Sequence, residues 1–151
     1  MKKKHERKEV IQYLIQLKEN ELSKLEEVKN MYAESADLDE ESSLSTDDFA
    51  QQSQSTESAM NLEHRLKVEQ EKLNRFKALR PEESTDVVEG NVVVTNVFSF
   101  VIGLAIKDFE WNGEKYVGIS TDAPIYQVMK TKKPGDSFEF NGKLYEIYEI
   151  I

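Results

Sequence analysis

Carboxylates are the side chains of this sequence best able to do chemistry, and they are concentrated in one segment. Between Glu34 and Glu57 the chain has eight acidic residues and neither Lys nor Arg: Glu34, Asp37, Asp39, Glu40, Glu41, Asp47, Asp48 and Glu57. Closely spaced carboxylates can share a divalent cation such as Mg²⁺, which takes one or two carboxylates and completes its shell with water and substrate oxygens. The same composition is also typical of a solvated loop without a task.

Other reactive groups are scarce in the chain. Its 151 residues include no Cys, which excludes disulfides, thiolate metal sites and Cys nucleophiles. There is no Walker loop, no G-x-S-x-G and no zinc pattern, and the two His residues, His5 and His64, lie far apart. The formal net charge of -9 would repel a phosphate backbone, so tight autonomous binding to nucleic acid is not expected.

Two amphipathic segments flank the acidic cluster. The first has neither Gly nor Pro and carries a stripe at helical spacing: Ile11, Leu14, Lys18, Leu22, Leu25, Val28 and Tyr32. The second, which ends at Arg80 before Pro81, carries Ala59, Leu62, Leu66, Leu73 and Phe76. Narrow stripes flanked by Glu and Lys are typical of two helices that bury one seam. We therefore predict an antiparallel coiled-coil hairpin over residues 1–80, with an acidic tip around 34–57 and a turn centred near residue 45.

From Val87 onward the pattern is that of a small β-rich domain. Asn112-Gly113 and Asn141-Gly142 each predict a β-hairpin. Residues 123–129 predict one short helix, with Asp122 as its candidate N-cap and Pro124 in its first turn. The last strand alternates, which sets Leu144, Glu146, Tyr148 and Ile150 on one face and Tyr145, Ile147, Glu149 and Ile151 on the other. The sequence thus predicts an α+β protein: the hairpin, a linker at 81–86, and an antiparallel sheet with one helix at 87–151.

One stretch of the β-rich part carries a recognisable pattern. Residues 119–140, which begin Ile-Ser-Thr-Asp-Ala-Pro-Ile, together with the closing Tyr145-Glu-Ile-Tyr-Glu-Ile, resemble the C-terminal domain of the Gre family of bacterial transcription elongation factors. That family also has an N-terminal helical hairpin with an acidic tip. The resemblance covers residues 87–151 and implies an FKBP-like domain that docks on RNA polymerase at the rim of its secondary channel. The positions that it marks for docking are Ser120, Asp122, Pro124, Ile125, Lys130, Lys132, Lys133, Gly135 and Asp136, although the Lys residues are equally well explained as solvating.

The resemblance also assigns roles to the acidic segment. In Gre factors the tip carries D-L-x-E-N, whose Asp and Glu help to hold Mg²⁺ and a water so that the polymerase cuts backtracked RNA. Asp37-Leu38-Asp39-Glu40 matches the first four positions, so the resemblance implies Asp37 and Glu40 as the catalytic and Mg²⁺-binding pair. Glu41 replaces the Asn of the family. Because the turn is predicted near residue 45, the alternative tip acids are Asp39, Glu41, Asp47 and Asp48.

The implied protein is an accessory factor rather than an enzyme. It would act as a monomer, share its Mg²⁺ with the polymerase active site without binding the ion stably alone, and meet RNA and DNA only within the elongation complex. Two alternatives stay open: a regulator of the same shape that occupies the channel without promoting cleavage, and a coiled-coil adaptor whose hairpin dimerises. The basic N-terminus lacks the apolar stretch of a signal peptide, and no apolar run is long enough for a membrane span, so we expect a cytoplasmic protein.

Overall fold

The computed structural model describes residues 4–37, 46–79 and 84–151, with the side-chain surroundings of residues 6–34, 56–79 and 84–151. Two long helices, α1 (Lys4–Asp37) and α2 (Thr46–Lys77), precede a sheet. The remaining elements are β1 (Val92–Thr95), β2 (Ser99–Ile102), β3 (Ile106–Trp111), β4 (Glu114–Ile119), α3 (Pro124–Met129), β5 (Ser137–Phe140) and β6 (Lys143–Ile150). The predicted α+β class is confirmed.

The sheet is mixed, which corrects the prediction of an antiparallel sheet. Its six strands lie in the order β3-β4-β2-β1-β6-β5. All neighbours are antiparallel except β2 and β4, in which Ser99 lies opposite Tyr116 and Ile102 opposite Ile119. The Asn-Gly turn makes β3 and β4 neighbours, but no local signal decides which of them joins β2. Burial decides it, because β4 ends in buried residues and takes the interior position, whereas β3 has no fully buried residue and lies at the edge.

Both predicted Asn-Gly hairpins are confirmed. Asn112 and Gly113 connect β3 to β4 with φ angles of 53° and 79°, and Asn141 and Gly142 connect β5 to β6 with 51° and 75°. Positive φ at both central residues is the conformation of a type I′ turn, whose twist matches that of the flanking strands. Asn and Gly tolerate this conformation better than other residues, so these turns are specified locally.

The last strand, β6, departs from simple alternation. Ile147 is buried in the core, and so is Ile150, three positions later. The register against β1 shifts between these positions, because β6 contains one residue more than its partner there. The extra residue, Tyr148, forms a β-bulge, which reverses the pattern beyond it. The prediction that Ile150 lies on the opposite face from Ile147 is therefore wrong.

The described residues divide into two compact units. The sheet unit contains those up to Gln16 and from Leu73 to the end of the chain, and the helical unit contains residues 17–72. In the sheet unit, α3 packs on one face of the sheet, which we call the α3 face. The core on this face consists of Val87, Val93, Phe100, Ile102, Ile119, Met129, Phe138, Tyr145, Ile147 and Ile150.

The start of α1 and the end of α2 also pack within the sheet unit. Gly118 lies between two residues of the α3 face and therefore belongs to the opposite face. A Cβ added to Gly118 would lie 3.0 Å from the Leu14 side chain of α1, and one added to Gly103 would lie 3.2 Å from Phe76 of α2. Leu14 and Phe76 are both buried. The two glycines therefore let the ends of the long helices approach the strands closely.

Candidate functional site

The candidate docking segment, residues 119–136, forms the end of β4, the helix α3 and the turn before β5. The predicted helix is confirmed, but Asp122 is not its N-cap. The N-cap is Ala123, whose backbone is extended and which makes no side-chain capping bond. Its N–H donates to the Ser120 carbonyl at 3.1 Å, so a backbone turn leads into α3. Pro124 follows in the first turn, where its fixed φ favours the helix and its missing N–H leaves no bond unmade.

The turn before β5 explains two of the candidate docking residues structurally. Gly135 has a φ of 92°, which most side chains would resist, and its N–H donates to the Ile147 carbonyl at 2.8 Å. The Asp136 carboxylate accepts a hydrogen bond from the Lys133 N–H at 2.9 Å, and the Asp136 carbonyl accepts one from the Ile147 N–H at 2.9 Å. The two bonds with Ile147 fasten the turn to β6, and the bond from Lys133 closes the turn itself. Gly135 and Asp136 therefore shape the segment.

Three of the candidate docking residues lie at the exposed ends of α3. Asp122 and Pro124 are exposed at the start of α3, and Lys130, at its end, donates to the Gln127 side chain at 2.8 Å. Ile125 is half-buried against the core on the α3 face. The exposed ends of α3 are therefore open to a partner, and so is the exposed turn before β5.

The other candidate docking residues are more constrained. Ser120 and Lys132 are half-buried. Lys133 forms an ion pair with Asp86, which lies just before β1 in the chain. The ammonium of Lys133 therefore already serves to join the turn before β5 to the segment that leads into the sheet.

The acidic segment lies between the two long helices in the chain. Asp37 is the last residue of α1, and Asp47 and Asp48 lie in the first turn of α2, which begins at Thr46. The predicted pair therefore begins at the end of α1. Asp39, Glu40 and Glu41 lie outside the described residues. The backbone of Asp37, Asp47 and Asp48 is described, but their side chains are not.

The flanks of the acidic segment are solvated. Glu34 and Glu57 are both exposed. Among the described side chains, no three His, Asp or Glu residues come together as a group that could hold a metal ion. The assignment of Asp37 and Glu40 as Mg²⁺ ligands rests on the sequence and stays a prediction.

A buried lysine joins α1 and α2 within the helical unit. Lys18 is only 3% exposed, and its Nζ lies 2.9 Å from Oε2 of Glu69 and 3.6 Å from Oε1 of Glu21. Partial burial acts to raise the pKa of Glu69, but the hydrogen bond and charge of Lys18, with the charges of Lys72 and Arg65, outweigh it and lower that pKa. Lys18 was visible in the sequence as the one charged member of its stripe, but its partner was not.

A shallow groove lies further along the same pair of helices. Its volume is about 400 Å³, and it is lined by Lys29, Asn30 and Ala33 of α1 and by Thr56, Ala59, Met60 and Glu63 of α2. Met60 and the nearby α1 residue Met31 are 64% and 66% exposed. The lining mixes polar and apolar side chains, and the groove is open to solvent. These side chains do not form a set of catalytic groups directed at one point.

Sequence reasoning missed a polar junction at the start of β1. Asn91 is fully buried, and its amide oxygen accepts a hydrogen bond from Arg7 of α1 at 2.9 Å. Its amide nitrogen donates to the carbonyls of Ser84 and Asp86 at 3.2 and 3.0 Å. The junction thus ties the foot of α1 to the segment before β1. The only sequence signal was a polar residue directly before a β-branched run.

An aromatic cluster lies where α1 meets β3 and β4. Tyr116 is 1% exposed, stacks on Phe109 with ring centroids 5.6 Å apart, and meets Trp111 edge to face. Tyr13 of α1 contacts Phe109 at 5.6 Å. Burial, with a smaller contribution from the charge of Glu6, raises the pKa of Tyr116 to about 12. The cluster is a packed core rather than an open pocket.

Comparisons of the chain with protein-family models, with curated proteins and with solved structures give no match. Within the described residues, no helix has the length and apolar character that crossing a membrane requires.

Proposed function

We propose that this protein is a Gre-like transcription factor that binds RNA polymerase at its secondary channel and promotes cleavage of backtracked RNA by the polymerase. The observation that carries the proposal is the pattern over residues 119–140 together with an acidic segment between two long helices. The proposed protein is an accessory to catalysis, because the reacting RNA and the main catalytic groups belong to the polymerase.

In this proposal α1 and α2 form an antiparallel hairpin. The contacts within the helical unit support it: Lys18 pairs with Glu69, whereas Ala33, later in α1, shares a groove with Ala59, earlier in α2. Contacts that run in opposite directions along two helices are those of an antiparallel pair. At 1.5 Å per residue, the 34 residues of α1 extend about 50 Å, which is long enough for a projection into a deep channel.

The FKBP-like C-terminal domain of the proposal would make the contact with the polymerase. Support comes from the sheet with α3 on one face and from the exposed Asp122, Pro124 and Lys130 at the two ends of α3. Asp122 has no capping task in α3, so its carboxylate is available to a partner.

At the proposed tip, Asp37 and Glu40 would hold a Mg²⁺ ion shared with the polymerase. Carboxylate oxygens are the ligands that Mg²⁺ prefers, and in a two-metal site such an ion orients or activates the attacking water. The task of this chain is to carry the two carboxylates to the polymerase active centre.

Cleavage of RNA in stalled, backtracked elongation complexes tests the proposal. With Mg²⁺ present, we expect the native protein to stimulate cleavage and Asp37→Ala/Glu40→Ala to lose that stimulation. Asp47→Ala/Asp48→Ala is the matched control, because it removes the same charge from the start of α2. Loss of cleavage only in the control would move the site to Asp47 and Asp48, and RNA cleavage by the protein without polymerase would contradict the proposal.

The second candidate is a regulator that occupies the channel without promoting cleavage. Two departures from the tip of the Gre family favour it. Glu41 replaces the Asn of the family, and Ser42-Ser43-Leu44 stands where the family motif continues with A-E-Y. Measurable polymerase binding with no cleavage in the same assay would establish this alternative.

A third candidate is a coiled-coil adaptor that dimerises. It is favoured by the exposure of Val28, Met31, Tyr32 and Met60 in the helical unit. A tight homodimer in analytical ultracentrifugation, with no retention on immobilised polymerase, would support the adaptor over both other candidates.

A further inference from the structure

An apolar surface with an acidic border lies on the face of the sheet opposite α3. Residues directly opposite each other in antiparallel strands share a face, so Glu139 of β5 and Leu144 of β6 lie together on it. Glu146 and Tyr148 follow Leu144 on this face by the alternation of β6, and the bulge then adds Glu149, which lies opposite Val94 of β1. We call this surface the β5–β6 face, and its members are Val94, Glu139, Leu144, Glu146, Tyr148 and Glu149.

Two large apolar side chains project from this face. Leu144 is 57% exposed and Tyr148 is 59% exposed. Val97, in the turn between β1 and β2, is also exposed, and the neighbouring Asn96 accepts a hydrogen bond from the Glu146 N–H at 2.8 Å, which holds this turn beside the face. Single exposed apolar residues are ordinary, but several on one face indicate a binding surface.

The neighbouring part of the same side of the sheet is covered. Val92 of β1 and Val101 of β2 are fully buried there. At β4 the cover is helical, because Leu14 of α1 packs against Gly118. The fold thus already packs a helix on this side of the sheet, whereas no described helix packs on the part over β5 and β6.

The dimensions of the β5–β6 face suit another helix. Three neighbouring strands, β1, β6 and β5, span about 10 Å at the usual strand spacing, which is close to the diameter of an α-helix. Leu144 and Tyr148 are four residues apart in β6, or about 13 Å, a distance that two to three helical turns cover.

The charge of the face defines its partner. Its carboxylates are those of Glu139, Glu146 and Glu149, and its six positions include neither Lys nor Arg. We propose that the β5–β6 face binds a basic amphipathic helix of a partner protein, which sets apolar side chains on Leu144 and Tyr148 and Lys or Arg side chains against Glu139 and Glu146. This site is additional to the docking segment around α3, which lies on the other side of the sheet.

A synthetic helical peptide with Leu on one face and Lys on the other is a suitable probe. We expect it to shift the backbone NMR signals of β5 and β6 in the ¹⁵N-labelled full-length protein at near-physiological salt. The readout must resolve residues, because the acidic segment at 34–57 would also attract a basic peptide. A peptide with Glu in place of each Lys is expected to leave the β5 and β6 signals unchanged.

Variants of the face separate its apolar and charged contributions. Leu144→Ser/Tyr148→Ser is expected to weaken binding at β5 and β6 about tenfold, as for central anchors of an interface. Glu139→Gln/Glu146→Gln, which keeps side-chain size, is expected to weaken it and to remove most of its salt dependence.

The control is Val88→Ser, because Val88 is exposed elsewhere in the sheet unit, and its binding should equal that of the native protein. Dispersed amide signals in each variant verify folding. Signal shifts confined to residues outside β1, β5 and β6, or an unchanged affinity of both double variants, would overturn the proposal.

Discussion

The sheet unit and the helical unit are stabilised in different ways. The sheet unit has a core of ten buried apolar residues on its α3 face, and its turns are closed by backbone hydrogen bonds. In the helical unit, Leu22 is the one buried apolar residue that the structure describes, and it lies one turn from the buried Lys18, which pairs with the partly exposed Glu69. We infer that the helical unit opens more readily, because few buried contacts hold its helices.

The largest expected effect comes from breaking the sheet unit at Gly118. A Cβ at this position would lie 2.3 Å from the Leu104 carbonyl oxygen and 2.6 Å from Cγ2 of Ile106, and the backbone oxygen cannot move aside cheaply. Gly118→Ala is therefore expected to lower the free energy of unfolding by about 3 kcal/mol or more, measured by urea denaturation.

Gly113→Asn is the matched control for this substitution. Gly113 has a positive φ and no atom near its Cβ position, and Asn tolerates that conformation, so the change should be about 1 kcal/mol or less. Equal unfolding midpoints for Gly118→Ala and the native protein would contradict the close approach of β4 to its neighbours.

In the helical unit the sharpest test is the ion pair. Glu69→Ala leaves the buried Lys18 ammonium without its closest carboxylate and is expected to cost about 2 kcal/mol. Lys18→Met replaces the ammonium with an apolar side chain of similar length and is expected to be neutral or stabilising. Hydrogen exchange of the amides of residues 17–72 measures both.

The control for the ion pair is Glu71→Ala, because Glu71 is exposed and should change stability by less than about 0.5 kcal/mol. Greater protection in Glu69→Ala than in Lys18→Met would show that the pair does not hold the seam.

The stability of the helical unit should depend on acidic pH, and that of the sheet unit on alkaline pH. The folded pKa of Glu69 is lowered, so its contribution is present above the unfolded pKa of about 4.5 and is lost as pH falls below it. The folded pKa of Tyr116 is raised, so its contribution is present below the unfolded pKa of about 10 and is lost as pH rises towards about 12.

Unfolding curves across pH, compared with those of Glu69→Gln and Tyr116→Phe, test this difference. Glu69→Gln should reduce the loss of stability at acidic pH, the acidic limb of the profile, and leave the alkaline limb unchanged. Tyr116→Phe should reduce the loss of stability at alkaline pH and leave the acidic limb unchanged. A flattened alkaline limb in Glu69→Gln would contradict the assignment.

The smallest expected effects distinguish residues of 119–136 that stabilise the fold from residues that contact a partner. Asp136→Ala removes the carboxylate that accepts from the Lys133 N–H and is expected to cost about 1 kcal/mol in thermal unfolding. Asp122→Ala removes an exposed side chain that caps no helix, so stability should change by less than about 0.5 kcal/mol. If Asp122 contacts polymerase as proposed, Asp122→Ala weakens retention on immobilised polymerase without this loss of stability.

Elements that depend on residues adjacent in the sequence could be predicted from the sequence alone. The two Asn-Gly turns, the long helices and the helix after Asp122 follow from backbone preferences and helical periodicity, and all are present. The pattern over residues 119–140 marked the candidate docking segment in the same way. It could not separate Gly135 and Asp136, whose hydrogen bonds shape the turn, from Asp122, which caps no helix, because that difference depends on hydrogen bonds to β6 and on the backbone at Ala123.

Several features were decided by the tertiary structure alone. The parallel pairing of β2 with β4 depends on which strand of the β3–β4 hairpin is buried. The bulge at Tyr148 depends on the register between β1 and β6, the first and last strands of the chain. Asn91 is buried because Arg7, 84 residues earlier, supplies its partner. Lys18 is tolerated in an apolar seam because Glu69 lies beside it. Composition and local pattern therefore determined the elements, whereas contacts between residues distant in the chain decided their pairing, because burial and charge compensation depend on what the folded chain brings together.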